Sequence, residues 1–140
     1  MTKIEIVNLK EDLLLDEEAL KKLLAKVIQR EGERDATVSV ALVDDRTIAG
    51  LNRRYLGRRG PTDVLAFPLD EGPGAGADLG EIVISVERAR AVARRRKKSI
   101  KKEIYLYAVH GLLHLLGFHH KTPSEAKQMR KKEIEALANL

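Results

Sequence analysis

Residues 110–120 read HGLLHLLGFHH and contain all four histidines of the 140-residue chain, set among leucines, glycines and one phenylalanine. A helix of that composition has to be buried, and imidazoles buried among leucines without partners cost about 1–3 kcal/mol each. A lone histidine on such a helix would read as a satisfied core residue, whereas four within eleven residues call for a shared metal ion. His110 and His114, four apart, stand one above the other on one helix face and can aim both rings at a common point. Gly117 can take the left-handed conformation that ends a helix, folding the next residues back past the last turn to deliver a third imidazole. Neighbouring residues of an extended segment point opposite ways, so only one of His119 and His120 turns inward.

The chain has no cysteine, so disulfides and thiolate metal sites are excluded and the ligands must be imidazole or carboxylate. Three neutral imidazoles at about 2.0–2.1 Å with a fourth position open describe a catalytic zinc site rather than a closed structural one. Zinc so held can lower the pKa of bound water to about 7 and act as a Lewis acid on a phosphoryl oxygen. Peptidases of the H-E-x-x-H type carry a glutamate directly after the first histidine, but here Gly111 and Leu112 follow His110. That counts against peptidase chemistry. Gly111 itself either lets the helix pack closely on a sheet or serves substrate access.

The rest of the chain alternates strand and helix patterns within the length of one domain, residues 1–140, with no internal repeat. Lys3 to Asn8 has strand chemistry; Asp16 then opens a helix bearing Leu20, Leu23, Leu24 and Val27, which Gly32 ends. Thr37 to Val43 is a β-branched strand, after which Asp44 or Asp45 caps a short helix carrying Ile48, Leu51 and Tyr55. Thr62 to Pro68 and Glu81 to Val86 read as two more strands, separated by a surface loop, DEGPGAGADLG, from Asp70 to Gly80. Ser85 caps a basic helix with Val86, Ala89 and Ala93, and Ser99 caps a longer one from Ile100 to about Leu116. Thr122, Pro123 and Glu125 form a capping box for a last helix whose stripe is Ala126, Met129, Ala136, Leu137 and Leu140.

No apolar run approaches the ~20 residues of a membrane span and no leader precedes the first strand, so a soluble cytoplasmic protein is expected. A net charge of +5 arises from 26 Lys and Arg against 21 Asp and Glu, with the cations in runs such as Arg94 to Lys98. Such runs suit either a polyanion such as RNA or solvated helix faces. With three Tyr, two Phe and no Trp, stacking platforms are scarce, so charge rather than base readout should dominate any RNA binding. Arg58 and Arg59 can grip phosphates bidentately, and Thr62 and Asp63 either face a substrate groove or satisfy a turn.

HGLLHLLGFHH resembles the H-G-x-L-H-L-x-G-[FY]-D-H signature of the YbeY family, bacterial endoribonucleases implicated in ribosomal RNA maturation. GPTDVLAFP resembles that family's P-T-D-V-L-S-F-P motif, and Leu51-Asn52 and LGEIVIS from Leu79 to Ser85 also match. The resemblance spans essentially the whole chain and implies an α+β fold, with a small mixed sheet of about four strands and about five helices. It implies one zinc per chain on His110, His114 and His120, single-strand cleavage in small-subunit ribosomal RNA 3′ maturation and ribosome quality control, and RNA and the ribosome as partners, with ribosomal or GTPase proteins as helpers. The competing expectations are a ribosome-associated assembly factor with a structural zinc, and a zinc hydrolase of another substrate. Two positions depart from the family pattern. His119 replaces a usual Asp, and Leu56 stands where many members carry an Arg, with Arg54, Arg58 and Arg59 nearby.

Overall fold

A computed structural model describes residues 2–33, 35–69 and 78–138. Its elements are β1 (Lys3–Asn8), α1 (Glu17–Arg30), β2 (Thr37–Val43), α2 (Asp45–Leu56), β3 (Val64–Pro68), β4 (Asp78–Ser85), α3 (Val86–Arg96), α4 (Ile100–Leu115) and α5 (Pro123–Leu137). The α+β expectation holds. One mixed sheet has the order β1-β2-β4-β3, with β1, β2 and β4 parallel and β3 antiparallel to β4.

Alternation along the central strands builds two cores. Val38, Val40, Leu42, Ile82 and Ile84 face the larger one, which α1, α4 and α5 complete. Val43, Leu65 and Val83 point the other way and meet Ile48 of α2. The polar caps start the helices where their chemistry directs: Asp16, Asp44, Ser85, Ser99 and Thr122 each accept a backbone N–H three residues on. Asp45, the other cap candidate, instead accepts the Ser85 hydroxyl, tying α2 to the end of β4.

Several boundaries differ from the sequence reading. β3 starts at Val64, not Thr62, because the Asp63 carboxylate takes the Val64 N–H at 2.7 Å and closes a turn there. β4 begins at Asp78, so Asp78 to Gly80 are strand and not loop; Gly80 pairs with both β2 and β3, and Leu79, at a register shift against β2, is buried in the larger core. It ends at Ser85, and Val86 is already helical. The remainder of the expected loop, residues 70–77, and Leu140 lie outside the described residues. Tyr55 is 60% exposed, because the α2 face that meets the sheet is centred on Ile48 and Asn52. Ala126 is exposed as well; the inward face of α5 is Met129, Lys132, Glu133, Ala136 and Leu137.

Gly111 decides how closely α4 lies on the sheet. A Cβ there would stand 2.7 Å from Ile82 Cγ2, with Val64 Cγ2 at 3.4 Å. Of the two readings of this glycine, close packing is the one the contacts account for. We predict that Gly111→Ala lowers stability by about 1 kcal/mol, because overpacking of about 1–3 kcal/mol outweighs the ~1 kcal/mol that alanine gains in helix propensity. Urea unfolding checks this, and a variant more stable than the wild type would refute it.

Candidate metal centre and its cavity

The centre is built where α4 ends. Gly117 N–H donates to the His114 carbonyl at 3.0 Å and Phe118 N–H to the Leu113 carbonyl at 3.0 Å, the paired bonds of a Schellman cap. Gly117 supplies the required left-handed backbone, with φ 101°. The chain therefore reverses: Phe118 packs onto the core and His120 returns to the face of α4 that carries His110 and His114.

The rings of these three histidines form a triangle. Centroids lie 4.8 Å apart for His110 and His114, 5.2 Å for His110 and His120, and 4.8 Å for His114 and His120. One nitrogen from each falls within 4.8 Å of the others, so the three could hold a metal ion. Tetrahedral coordination at about 2.0–2.1 Å needs nitrogens about 3.3 Å apart, closer than the 4.8 Å within which these lie. His119 is exposed, with its ring 6.5 Å from that of His114, and is not one of the three.

Protonation favours the same use. Burial first, and then the neighbouring imidazoles of His110, His120 and His119, push the His114 pKa down to about 4. Its ring is thus neutral at pH 7, with a lone pair to offer. His110 Nδ1 lies 2.6 Å from Glu133 Oε2. In the arrangement in which Glu133 accepts, Nδ1 carries the proton and Nε2 is the nitrogen left to ligate.

The sequence reading missed Glu133, which sits 23 residues from His110. Its signal was present: it shares the inward face of α5 with Met129, Ala136 and Leu137, and a carboxylate on that stripe needs a buried partner. Lys132 beside it reaches Glu31 at 2.9 Å and lies over the Phe118 ring at 5.3 Å. α5 is thereby tied both to the end of α1 and to the turn that carries His120.

A cavity of about 510 Å³ opens beside the histidines. His110 and Glu133 lie at it, Thr62, Asp63, Val64 and Tyr107 line it, and Arg88, Arg95 and Arg96 of α3 complete it. Thr62 and Asp63 thus both line a cavity and satisfy a turn: Asp63 Oδ1 accepts Val64 N–H and the Thr62 hydroxyl, and its carbonyl accepts Ser85 N–H. Arg58 and Arg59 are exposed and are not among the lining residues. Burial, aided by Asp63 and Glu103, pushes the Tyr107 pKa up to about 12, so its phenol stays protonated and cannot serve as a base.

Comparison with known proteins gives a consistent set. A family model described as Endoribonuclease YbeY matches residues 5–140. Proteins of that name from Pelotomaculum thermopropionicum and Bacillus subtilis are 43% and 42% identical, over 96% and 88% of this chain and 95% and 87% of theirs. One from Anaeromyxobacter sp. is 47% identical over 74% of this chain, and the match spans about half, 54%, of its length. The solution structure of a Thermotoga maritima protein superposes with a TM-score of 0.65 at 30% identity, covering 99% of this chain and 91% of that one.

Two predictions follow from the geometry. Glu133→Gln should weaken metal binding about 10–100-fold while the protein stays folded, as loss of an orienting carboxylate does; chelator competition measures it, and unchanged affinity would refute the role. In metal-free protein, folded His114 stays neutral down to about pH 4 while the unfolded chain protonates near 6.5, so the unfolded state holds more protons between those values. Stability should therefore fall as pH drops from 6.5 toward 4. His114→Gln should remove part of that slope in urea unfolding, and identical slopes would count against the burial of this imidazole.

Proposed function

The chain belongs to the YbeY endoribonuclease family, and on that premise we propose that it is a zinc-dependent endoribonuclease cleaving single-stranded RNA in the cytoplasm. Its place is ribosomal RNA processing, in small-subunit 3′ maturation and ribosome quality control, with the ribosome as partner. The observation that carries this reading is the convergence of His110, His114 and His120 beside a cavity walled by Arg88, Arg95 and Arg96.

His110, His114 and His120 would hold one zinc per chain; an all-imidazole donor set suits that ion. When bound, zinc supplies Lewis acidity toward a phosphoryl oxygen and toward water. The protein's residues do the rest. Glu133 keeps the His110 proton on Nδ1 and so is committed to orienting a ligand. The α3 guanidiniums offer forked donors that can orient a phosphodiester and offset its charge. Tyr107, held protonated, can donate a hydrogen bond in the same cavity.

We predict that purified protein contains about one zinc and that replacing His110, His114 or His120 by Ala removes it together with RNA cleavage, a loss of at least about 10²-fold. Metal analysis and a nuclease assay on ribosomal RNA test both. Cleavage that survives chelation and all three substitutions would sink the nuclease reading. Metal removal that lowers the melting temperature yet leaves wild-type cleavage intact would indicate a structural metal instead.

A further inference from the structure

Two of the cationic runs, on α2 and on α3, form separate surfaces, and of these two only the α3 run lines the cavity that includes His110. Arg88, Val92, Arg95 and Arg96 recur at the spacing of one helical face, and all four line the 510 Å³ cavity that includes His110. The face is about 12 Å long from Arg88 to Arg96. The remaining cations of α3 are engaged or directed elsewhere: Arg90 pairs with Asp12 at 3.0 Å, and Arg94 does not line the cavity.

Helix stability accounts for part of this pattern. Arg95 and Arg96 lie in the last turn of α3, where cations complement the helix dipole. Arg88 lies in the first turn, where that interaction is unfavourable. Its place on the cavity wall therefore calls for an anion.

The basic surface continues past the end of the helix. Lys97 adopts a left-handed backbone, with φ 56°, and Lys98 N–H closes onto the Ala93 carbonyl at 2.9 Å, turning the chain into the Ser99 cap of α4. A second cavity of about 450 Å³ at this corner is lined by Lys98 and Lys102. Leu106 lines both cavities, and Arg96 of the first reaches Glu103 of the second at 3.9 Å. The two are thus contiguous around the corner.

The rival surface holds Arg53, Arg54, Arg58 and Arg59 on and just after α2, with Tyr55 60% exposed beside them. It offers charge and an aromatic ring. None of these residues lines the cavity at His110.

We propose that single-stranded RNA runs from the histidine cluster along the Arg88–Arg95–Arg96 face of α3 and around the α3–α4 corner over Lys98 and Lys102, and does not track across the arginines of α2. The path rests on the nuclease reading for the identity of the polyanion. Its recognition is of phosphates, since no exposed aromatic side chain lines either cavity.

The test is fluorescence-anisotropy titration of a 16-nucleotide single-stranded RNA against EDTA-treated full-length protein over a range of salt. Arg88→Gln with Arg95→Gln leaves Arg96 on the buried Glu103, so the variant keeps that pair. This double variant, and Lys98→Gln with Lys102→Gln, should each weaken binding about tenfold or more and reduce the slope of log affinity against log salt by about 1.4, near 0.7 per lost phosphate contact. Arg58→Gln with Arg59→Gln should change affinity less than twofold. An equal or larger loss in the Arg58/Arg59 variant, or unchanged slopes in both α3 and corner variants, overturns the path. Zinc-dependent cleavage by the wild type is read in parallel. Cleavage with unaffected variants overturns the path alone, whereas the expected binding pattern without cleavage supports the path and overturns the nuclease reading.

Discussion

Helix α4 is apolar on nearly every side, so it is stable only where other elements cover it all round. β3 and β4 lie beneath it, with α1, α3 and α5 around it. The chemistry at its C-terminal end is a consequence of that burial. His110 and His114 occupy fixed positions because Ile104, Ala108, Val109, Leu112 and Leu113 around them are sealed in the core. The same burial removes the charged form of His114, so the packing that places the ring also sets its protonation. A site on a surface helix would have neither property.

The elements were largely legible because their signals are local. Five helices start at the polar caps that sequence alone picks out, and β1 and β2 have the bounds their β-branched runs indicate. The errors fall where tertiary pairing overrides local chemistry. Asp78 to Gly80 look like loop, yet β2 pairs with Asp78 and Gly80, and β3 pairs with Gly80 from the other side, which draws the stretch into the central strand. Tyr55 keeps a helical spacing with Ile48, but it lies at the rim of the sheet and stays 60% exposed; its ring meets Phe67 of the edge strand β3 edge-on at 5.6 Å. The candidate site shows the same division. The local His110–His114 pair was readable, whereas Glu133 and Arg88 take their roles from how α5 and α3 pack against the neighbouring helix α4, which local spacing does not specify.

Charge in the cavity is arranged so that opposite signs do not cancel at close range. The two carboxylates that line the cavity at His110 are occupied, Glu133 by His110 and Asp63 by the turn before β3. Glu103 is buried, with Arg96 at 3.9 Å and the Tyr107 phenol beside it. That leaves Arg88 and Arg95 without an acidic partner on the cavity wall among the pairs found within the described residues. Guanidiniums without acidic partners beside the histidine cluster make a place that favours an anion.

The doubled histidine at 119 and 120 shows how packing resolves an ambiguity that spacing leaves open. Beyond the Gly117 reversal, the first residue to be placed is Phe118, whose ring is held by the core below and by Lys132 above. Side chains two apart in such a segment share a side, so fixing Phe118 against the core turns His120, itself exposed, toward the rings of His110 and His114 and turns His119 away from them. Selection of His120 thus follows from burying a phenylalanine two residues earlier. His119 is thereby left outside the triangle, where it has no ligand position to fill.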